Sequence, residues 1–464
     1  MTPSLREQLP GGAARRSDAS EPPSGAGGGL RIAMLSLHTS PLAQPGSGDA
    51  GGMNVYVRQL AAALAGRGVG VDIFTRAVDG AGTTVLGNGV TVHHMAAGPE
   101  GPLSKERLPE FLPEIVAAIQ KCCSGRFDLI HSHYWMSGLA GLELARDWGV
   151  PLVHTMHTMG KVKRRHHADA DEPDVRLSAE LRLVAESARI TANTPAEVRE
   201  LVSLYSADPS MVDVVPPGVD LGIFRPDGPR QWRGFHGGAP AATGAAETAP
   251  DAAAPAPAPA PAPDTMVRRP LRLLFAGRIQ KLKGPHILVR ALGVLNRTRP
   301  DLAVELAVIG ARSGAPELNL HRLVAEEGVE REVGLLPPVP PDELAGWFRG
   351  ADLVTVPSYS ESFGLVAMEA QACGTPVLAH DVGGLRHTVL DGETGVLLPD
   401  LDPGRWAAAL AGLADTPERL AAYGEAAARH AARFDWARTA EAALGSYGRA
   451  LTATAGRPEP ARRT

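Results

Sequence analysis

The sequence predicts an α/β protein built as two similar domains, each a parallel sheet covered by helices, with a ligand cleft between them. Three observations predict it. The chain has 464 residues, 44% hydrophobic and 21% charged, enough for two cores of ordinary domain size. Short apolar runs alternate with helix-period stretches along two separate tracts. A segment dominated by Ala, Pro and Gly, residues 228–268, divides those tracts.

Residues 1–30 are rich in Gly, Ser, Pro and charge without apolar periodicity, which predicts a disordered tail. From Arg31 the run IAMLSL predicts a buried strand, a Gly-rich loop follows at 46–52, and Met53, Val57, Leu60, Ala61 and Leu64 recur at helical spacing. Apolar runs at 69–74, 127–131, 151–155 and 189–193 extend the scheme, so 31–227 is taken as the first domain. The second series, 269–430, opens with LRLLFAGR at Leu271 and repeats through AVELAVIG at 303, ADLVTVPS at 351 and TPVLAH at 375. The Ala-rich helical stretch near 405–452 suggests a closing helix, 431–455, packing back across both domains before a short tail, 456–464.

The net charge of −5 gives no global attraction to nucleic acid or anionic lipid, so any anion site must be local. Three cysteines, Cys122, Cys123 and Cys373, make no disulfide framework and suit a reducing, cytoplasmic setting. No apolar signal core or run of about 20 apolar residues is present, so neither secretion nor membrane spanning is expected.

Four stretches carry candidate chemistry. The loop GSGDAGGMN, 46–54, lies between a strand and a helix, where free backbone N–H groups favour an anion, although a plain chain-reversing turn reads equally well. In AGRIQKLKG, Arg278 and Lys283 lie at the carboxyl edge of a sheet and form a candidate diphosphate clamp; two solvated loop charges are the alternative. In ESFGLVAMEAQACGTP, a helix from about Ser362 places Glu369 about 9 Å along its axis from the helix start, so the two carboxylates can reach separate ends of an elongated ligand. HSHYW at 131 and HTMHT at 154 put histidines at strand ends, with His131 and His154 better read as satisfied core groups than His133 and His157. No carboxylate or cysteine joins them at zinc-ligand spacing. The basic run KVKRRHH, 161–167, followed at once by DADEPD, is read as a solvated loop.

Together these residues resemble the retaining GT-B glycosyltransferases, whose hallmark E-x7-E is matched by Glu361 and Glu369. HTSPL at 38, GDAGGMNVY at 48, LSKE at 103, IHSHYW at 130 and VVPPGVD at 214 narrow the likeness to the D-inositol 3-phosphate glycosyltransferases of mycothiol biosynthesis. The resemblance implies two Rossmann-like domains across a deep cleft. It implies transfer of N-acetylglucosamine from UDP-N-acetylglucosamine to 1D-myo-inositol 3-phosphate with retention, in a homodimer that binds neither nucleic acid nor membrane. It assigns the acceptor to His38, Asp49, Ala50, Gly51, Gly52, Met53, Asn54, Lys105, Tyr134, Thr158 and Arg176, with Arg165 or Arg182 as alternates for the last. It assigns the donor to Gln44, Pro45, Gly52, Arg278, Lys283, Val339, Glu361 and Glu369. His157, Arg278, Lys283 and Glu361 would carry the chemistry, His157 by orienting the donor sugar. No cofactor is required for it; a structural magnesium near Phe348, Arg349, Ala351 and Thr375 is implied only by the family. The rival expectations are another acceptor on the same fold, as in sucrose-phosphate synthases or phosphatidylinositol mannosyltransferases, or a non-catalytic sugar-nucleotide sensor.

Overall fold

The computed structural model describes residues 29–46, 49–123, 127–166, 172–232, 234, 269–313 and 318–455. Residues 1–28, most of the 228–268 segment and the 456–464 tail, all singled out above, lie outside the described residues.

The first half begins with β1 (Arg31–Leu35), α1 (Gly52–Ala65), β2 (Gly70–Arg76), β3 (Gly82–Leu86), β4 (Val90–Met95) and α2 (Leu112–Cys123). It continues with β5 (Leu129–His133), α3 (Trp135–Trp148), β6 (Leu152–Thr155), α4 (Gly160–His166), α5 (Asp174–Glu186), β7 (Arg189–Ala192), α6 (Pro195–Tyr205) and β8 (Val212–Val214). The eight strands order as β3-β4-β2-β1-β5-β6-β7-β8, with only β3 antiparallel. β1 is central, Ile32 standing opposite Val71 on one side and Leu129 on the other. Its RIAML run is buried after the first residue because helices cover both faces.

The second half runs β9 (Leu271–Ala276), α7 (Pro285–Thr298), β10 (Val304–Ile309), α8 (Leu320–Glu327), β11 (Val333–Leu336), α9 (Pro341–Gly350) and β12 (Leu353–Val356). There follow α10 (Leu365–Ala372), β13 (Val377–His380), α11 (Leu385–Thr388), β14 (Gly395–Leu398), α12 (Pro403–Ala414), α13 (Pro417–Ala431) and α14 (Trp436–Ala455). All six strands are parallel, ordered β11-β10-β9-β12-β13-β14. Each sheet therefore reverses its strand order beside its first strand, and ligands in such sheets bind at the carboxyl ends at that point.

Several details differ from the sequence expectation. Strands β3, β4, β8, β11 and β14 carry too few apolar residues in a row to stand out; β3, GTTVL, is a largely exposed edge. The 405–452 stretch is three helices, separated at Pro417 and before Trp436, and only α14 returns to the first sheet, against α1, β6 and β7. Its Trp436, Ala440, Ala443, Tyr447 and Ala450, spaced by three and four, complete the core below α1. Residues 228–232, grouped by composition with the linker, pack on the second sheet's helices. Gln231 N donates to the Gly346 carbonyl at 2.9 Å, and the Trp232 ring lies 5.7 Å from that of Trp347. A tryptophan bracketed by low-complexity sequence still buries where a partner face exists. The chain passes between the domains at 215–220 and 432–436, where Val219 N donates to the Phe434 carbonyl at 2.9 Å.

Candidate functional site

The carboxyl ends of the two sheets face each other across a cavity of about 360 Å³. The second-domain wall is built from few stretches. Arg278 lies two residues beyond β9 rather than at its end, and Lys283 lies in the turn before α7. That turn is fixed by Gly284, whose φ of 75° suits glycine and where a Cβ would stand 2.0 Å from the Pro357 carbonyl oxygen. Lys283 thereby meets the loop after β12, its ammonium donating to Glu361 Oε2 at 2.6 Å, with Ser358 Oγ donating to the same oxygen at 3.3 Å. Gly383, with φ of 52°, lets a second backbone close on Glu361; a Cβ there would fall 2.1 Å from the Glu361 carbonyl oxygen.

The helix bearing Glu369 starts at Leu365, three residues later than expected, because Gly364 at φ 96° is not helical. Glu369 is therefore about 6 Å along the axis rather than 9, and the free N–H groups of the first turn open toward the cavity, which Gly364, Leu365 and Val366 line. Glu369 also lines it. Burial alone pushes its carboxyl up to about 8, and among the described residues no cation or hydrogen-bond donor meets it.

The first-domain wall comes from many separate segments. The 44–54 loop carries Gln44, Pro45, Asp49, Gly51, Gly52 and Met53 to the cavity. Gln44 Nε2 donates to the Val339 carbonyl at 3.1 Å across the cleft, so two residues assigned to the donor also latch the domains together. Gly52 faces α10, where a Cβ would lie 3.2 Å from Leu365 Cδ1. Asp49 stands between the domains' cations, 4.0 Å from Lys105 Nζ and 3.9 Å from Arg278 Nη1. His38 is pushed down to about 3, chiefly by burial and then by Lys105, Arg176 and Arg278, so it faces the cavity as a neutral ring.

Tyr134 and His157 are non-glycine residues with positive φ, 72° and 59°, and both line the cavity. Such strain persists only where surroundings enforce it, and it collects at functional sites. Tyr134 caps α3, while the His157 carbonyl accepts a short hydrogen bond from Ser362 Oγ of the opposite domain. His157 Nε2 pairs with His133 Nδ1 at 2.9 Å, and burial holds both rings well below the ordinary histidine range. His131 is satisfied by the Tyr447 hydroxyl and Thr155 Oγ1, both at 2.8 Å, and His154 pairs with Ser132. His133, expected to group with His157, is fully buried and supports it from behind.

Three assigned acceptor residues stand behind the wall. Ala50 is buried, its carbonyl accepting from Gly46 N at 3.0 Å. Asn54 is buried too, shaping the loop through Thr39 Oγ1 at 3.0 Å and Gly51 N at 3.1 Å. Arg176, assigned to the acceptor, is 2% exposed and engaged by Glu180 at 2.7 Å and Glu172 at 2.5 Å. It also donates to the Thr158 carbonyl at 2.9 Å and hydroxyl at 3.0 Å, and its guanidinium stacks 5.0 Å from the Tyr134 ring. Arg165 and Arg182, its alternates, pair with Glu200 and Glu186 and do not line the cavity. The Arg176 fork is thus engaged by two glutamates and by Thr158.

Phe348, Arg349, Ala351 and Thr375 lie apart from the cavity, at the carboxyl end of α9. Thr375 Oγ1 donates to the Phe348 carbonyl at 2.6 Å, and the Arg349 guanidinium binds the carbonyls of Arg225 at 3.1 Å and Pro229 at 2.9 Å. Among the described residues no metal-ligating cluster of His, Cys, Asp or Glu forms. The site implied by the family is one of neutral oxygens, of which the Phe348 carbonyl and the Thr375 hydroxyl meet each other.

Sequence reasoning missed several cavity residues: Tyr56, Asn193, Trp436 and Lys163. The first three lie inside apolar or turn patterns that carry no chemical signal. Lys163 sat in the basic run read as solvated.

Comparison with known proteins agrees with this architecture. Residues 50–222 match the family described as Glycosyltransferase Family 4, and residues 266–430 match Glycosyl transferases group 1. A D-inositol 3-phosphate glycosyltransferase of Paenarthrobacter aurescens (strain TC1) is 48% identical over 429 residues, spanning 91% of this chain and 98% of the relative. One from Arthrobacter sp. (strain FB24) is 50% identical over 426 residues, spanning 90% and 94%. Among solved structures, a sucrose-phosphate synthase from Thermosynechococcus elongatus superposes with a TM-score of 0.76 at 28% identity, over 91% of this chain and 99% of that one.

Proposed function

The chain belongs to the D-inositol 3-phosphate glycosyltransferase family, with the GT-B fold, and on that premise we propose the reaction it performs. The protein transfers N-acetylglucosamine from UDP-N-acetylglucosamine to 1D-myo-inositol 3-phosphate, yielding the N-acetylglucosaminyl-inositol phosphate precursor of mycothiol and UDP. The observation that carries this reading is one cavity with two unlike walls. Lys105, Tyr134 and Thr158 stand on the side suited to a phosphorylated polyol, and Arg278, Lys283, Glu361 and Glu369 on the side suited to a nucleotide sugar.

The proposed chemistry follows from those groups. The acceptor hydroxyl oxygen bonds to the anomeric carbon on the face from which the diphosphate oxygen departs, and the hydroxyl proton passes to that departing oxygen, so configuration is retained. Arg278, Lys283 and the first-turn amides of α10 face the charge that develops on the diphosphate. Lys283 is paired with Glu361. Donor binding gives each a new partner, phosphate for Lys283 and sugar hydroxyls for Glu361, while Glu369 receives the ribose hydroxyls. Neutral His157, backed by His133, orients the sugar. Protein cations neutralise the charge of the departing diphosphate. The homodimer implied by the resemblance belongs to the same proposal and is read by sedimentation velocity.

A sucrose-phosphate synthase-like acceptor is less well supported, since that structural relative is 28% identical against 48% for the inositol-named one. The deciding assay supplies UDP-N-acetylglucosamine with inositol 3-phosphate, inositol or fructose 6-phosphate and measures UDP release. Efficient release only with inositol 3-phosphate is expected; preference for either other acceptor overturns the reading.

A further inference from the structure

The basic run at 161–167 is not uniformly solvated. Arg164 and Arg165 point outward and pair with Asp174 and Glu200. Lys163 turns inward: its side chain is 22% exposed, against 47% for Lys105, and it lines the cavity beside Thr158. Its ammonium is held by Glu172 Oε1 at 2.9 Å, and Glu172 in turn binds Arg176 through its other oxygen at 2.5 Å. Arg176 is also engaged by Glu180 at 2.7 Å, so Lys163 has Glu172 as its own counter-charge. The pKa of Lys163 is lowered by burial first and by the positive charges of Arg176 and Lys105, against the pull of Glu172.

Lys163 sits on α4, directly after the turn that carries His157 and Thr158, and that turn is pinned by Glu180, which accepts from Gly160 N through both oxygens at 3.1 and 2.9 Å. Lys163 is thus presented from a fixed frame, whereas Lys105 projects from a loop. A compact ammonium on a short tether suits a phosphate oxygen, to which it can turn without leaving Glu172's reach.

We propose that Lys163 is a phosphate-binding residue of the acceptor subsite, converging with Lys105 from the opposite side on a phosphomonoester dianion, with Arg176 as the buried positioning residue behind them. The inference rests on the acceptor reading above. It deepens that reading by assigning discrimination between phosphorylated and unphosphorylated inositol to a residue in the supposed solvated run.

The test uses the full-length enzyme and the Lys163→Gln variant. The ratio of kcat/KM for inositol 3-phosphate to that for inositol should fall by roughly 10- to 100-fold, mostly through KM. Lys163→Arg should recover most of it, and KM for the donor should stay within a factor of about two. A purely structural role would lower both acceptors alike, and an unchanged ratio overturns the proposal. A second readout needs no assumption about the acceptor: inorganic phosphate should raise the melting temperature of the wild-type enzyme but not of Lys163→Gln. If the wild-type enzyme ignores inositol 3-phosphate, the acceptor reading fails, while the phosphate shift still decides Lys163. Should the Gln variant not fold, acetic anhydride labelling of the wild-type protein followed by peptide mass spectrometry takes its place. Protection of Lys163 by phosphate is expected, and equal labelling with and without it overturns the proposal.

Discussion

The two walls of the cleft reach similar polarity by different means. On the second-domain wall the charged groups come from two short stretches, Arg278 to Lys283 and Glu361 to Glu369, and Lys283 and Glu361 pair with each other. On the first-domain wall the cavity residues come from several separate segments, and some are held by partners behind them: His157 by His133, Thr158 by Arg176, Lys163 by Glu172. The difference teaches that a wall made from local sequence can hold generic groups, cations for a diphosphate and carboxylates for hydroxyls. A wall assembled from distant strands can impose shape. Tyr134 and His157 at positive φ mark the second case.

The sharpest way to break this comparison is Lys283→Ala. If the second wall acts through these few charges, turnover falls by roughly 100- to 1000-fold while the circular dichroism spectrum and melting temperature stay near wild type. Near-normal UDP release from that variant removes the diphosphate-clamp role.

Lys105→Ala probes the opposite wall. Its loss should raise KM for inositol 3-phosphate about tenfold with little change in KM for the donor. An unchanged acceptor KM in initial-rate assays would take Lys105 out of the subsite.

A subtler effect concerns Glu369. Its carboxyl is held up to about 8 by burial, so below that pH it carries a proton in the free enzyme. Ribose hydroxyls donating to it favour the ionised form, and binding then expels the proton. UDP affinity should therefore climb with pH by up to about tenfold per unit as 8 is approached, then level off, and Glu369→Gln should flatten the profile. Calorimetry of UDP binding between pH 7 and 9 measures it; a parallel slope in the Gln variant would assign the titration elsewhere.

The smallest change expected is from Gln44→Ala, which removes the half-exposed latch to Val339. Stability should shift by about 0.5 kcal/mol or less in urea titration. A loss of several kcal/mol would mean that the domains depend on this contact far more than its exposure suggests. Dialysis against a chelator should likewise leave initial rates unaltered, since the proposed chemistry neutralises the diphosphate with Arg278 and Lys283.

Much of the fold was legible because its signals are local. β1, β5, β9, β10, β12 and β13 are apolar runs buried on both faces, and the Gly/Pro stops around α10 fix where its helix ends. The second wall was legible for the same reason, its residues lying within two contiguous motifs. The edge strands β3 and β8 were not, since exposure on one side removes the apolar run that announces a strand. Nor was the start of α10, which Gly364 delays at a φ of 96°, where a Cβ would stand 2.7 Å from Leu385 Cδ2.

The sequence by itself determined two α/β domains, the nucleotide-sugar wall and, through motifs spread over the first half, the family. Tertiary structure alone decided that Arg176 stands behind the cavity between two glutamates, that Lys163 faces into it, and that α14 returns to the first sheet. The physical reason is the same for all three. Whether a charge is a ligand, a support or a solvated ornament depends on which carboxylates and which solvent surround it, and those neighbours arrive from chain positions that no local pattern links.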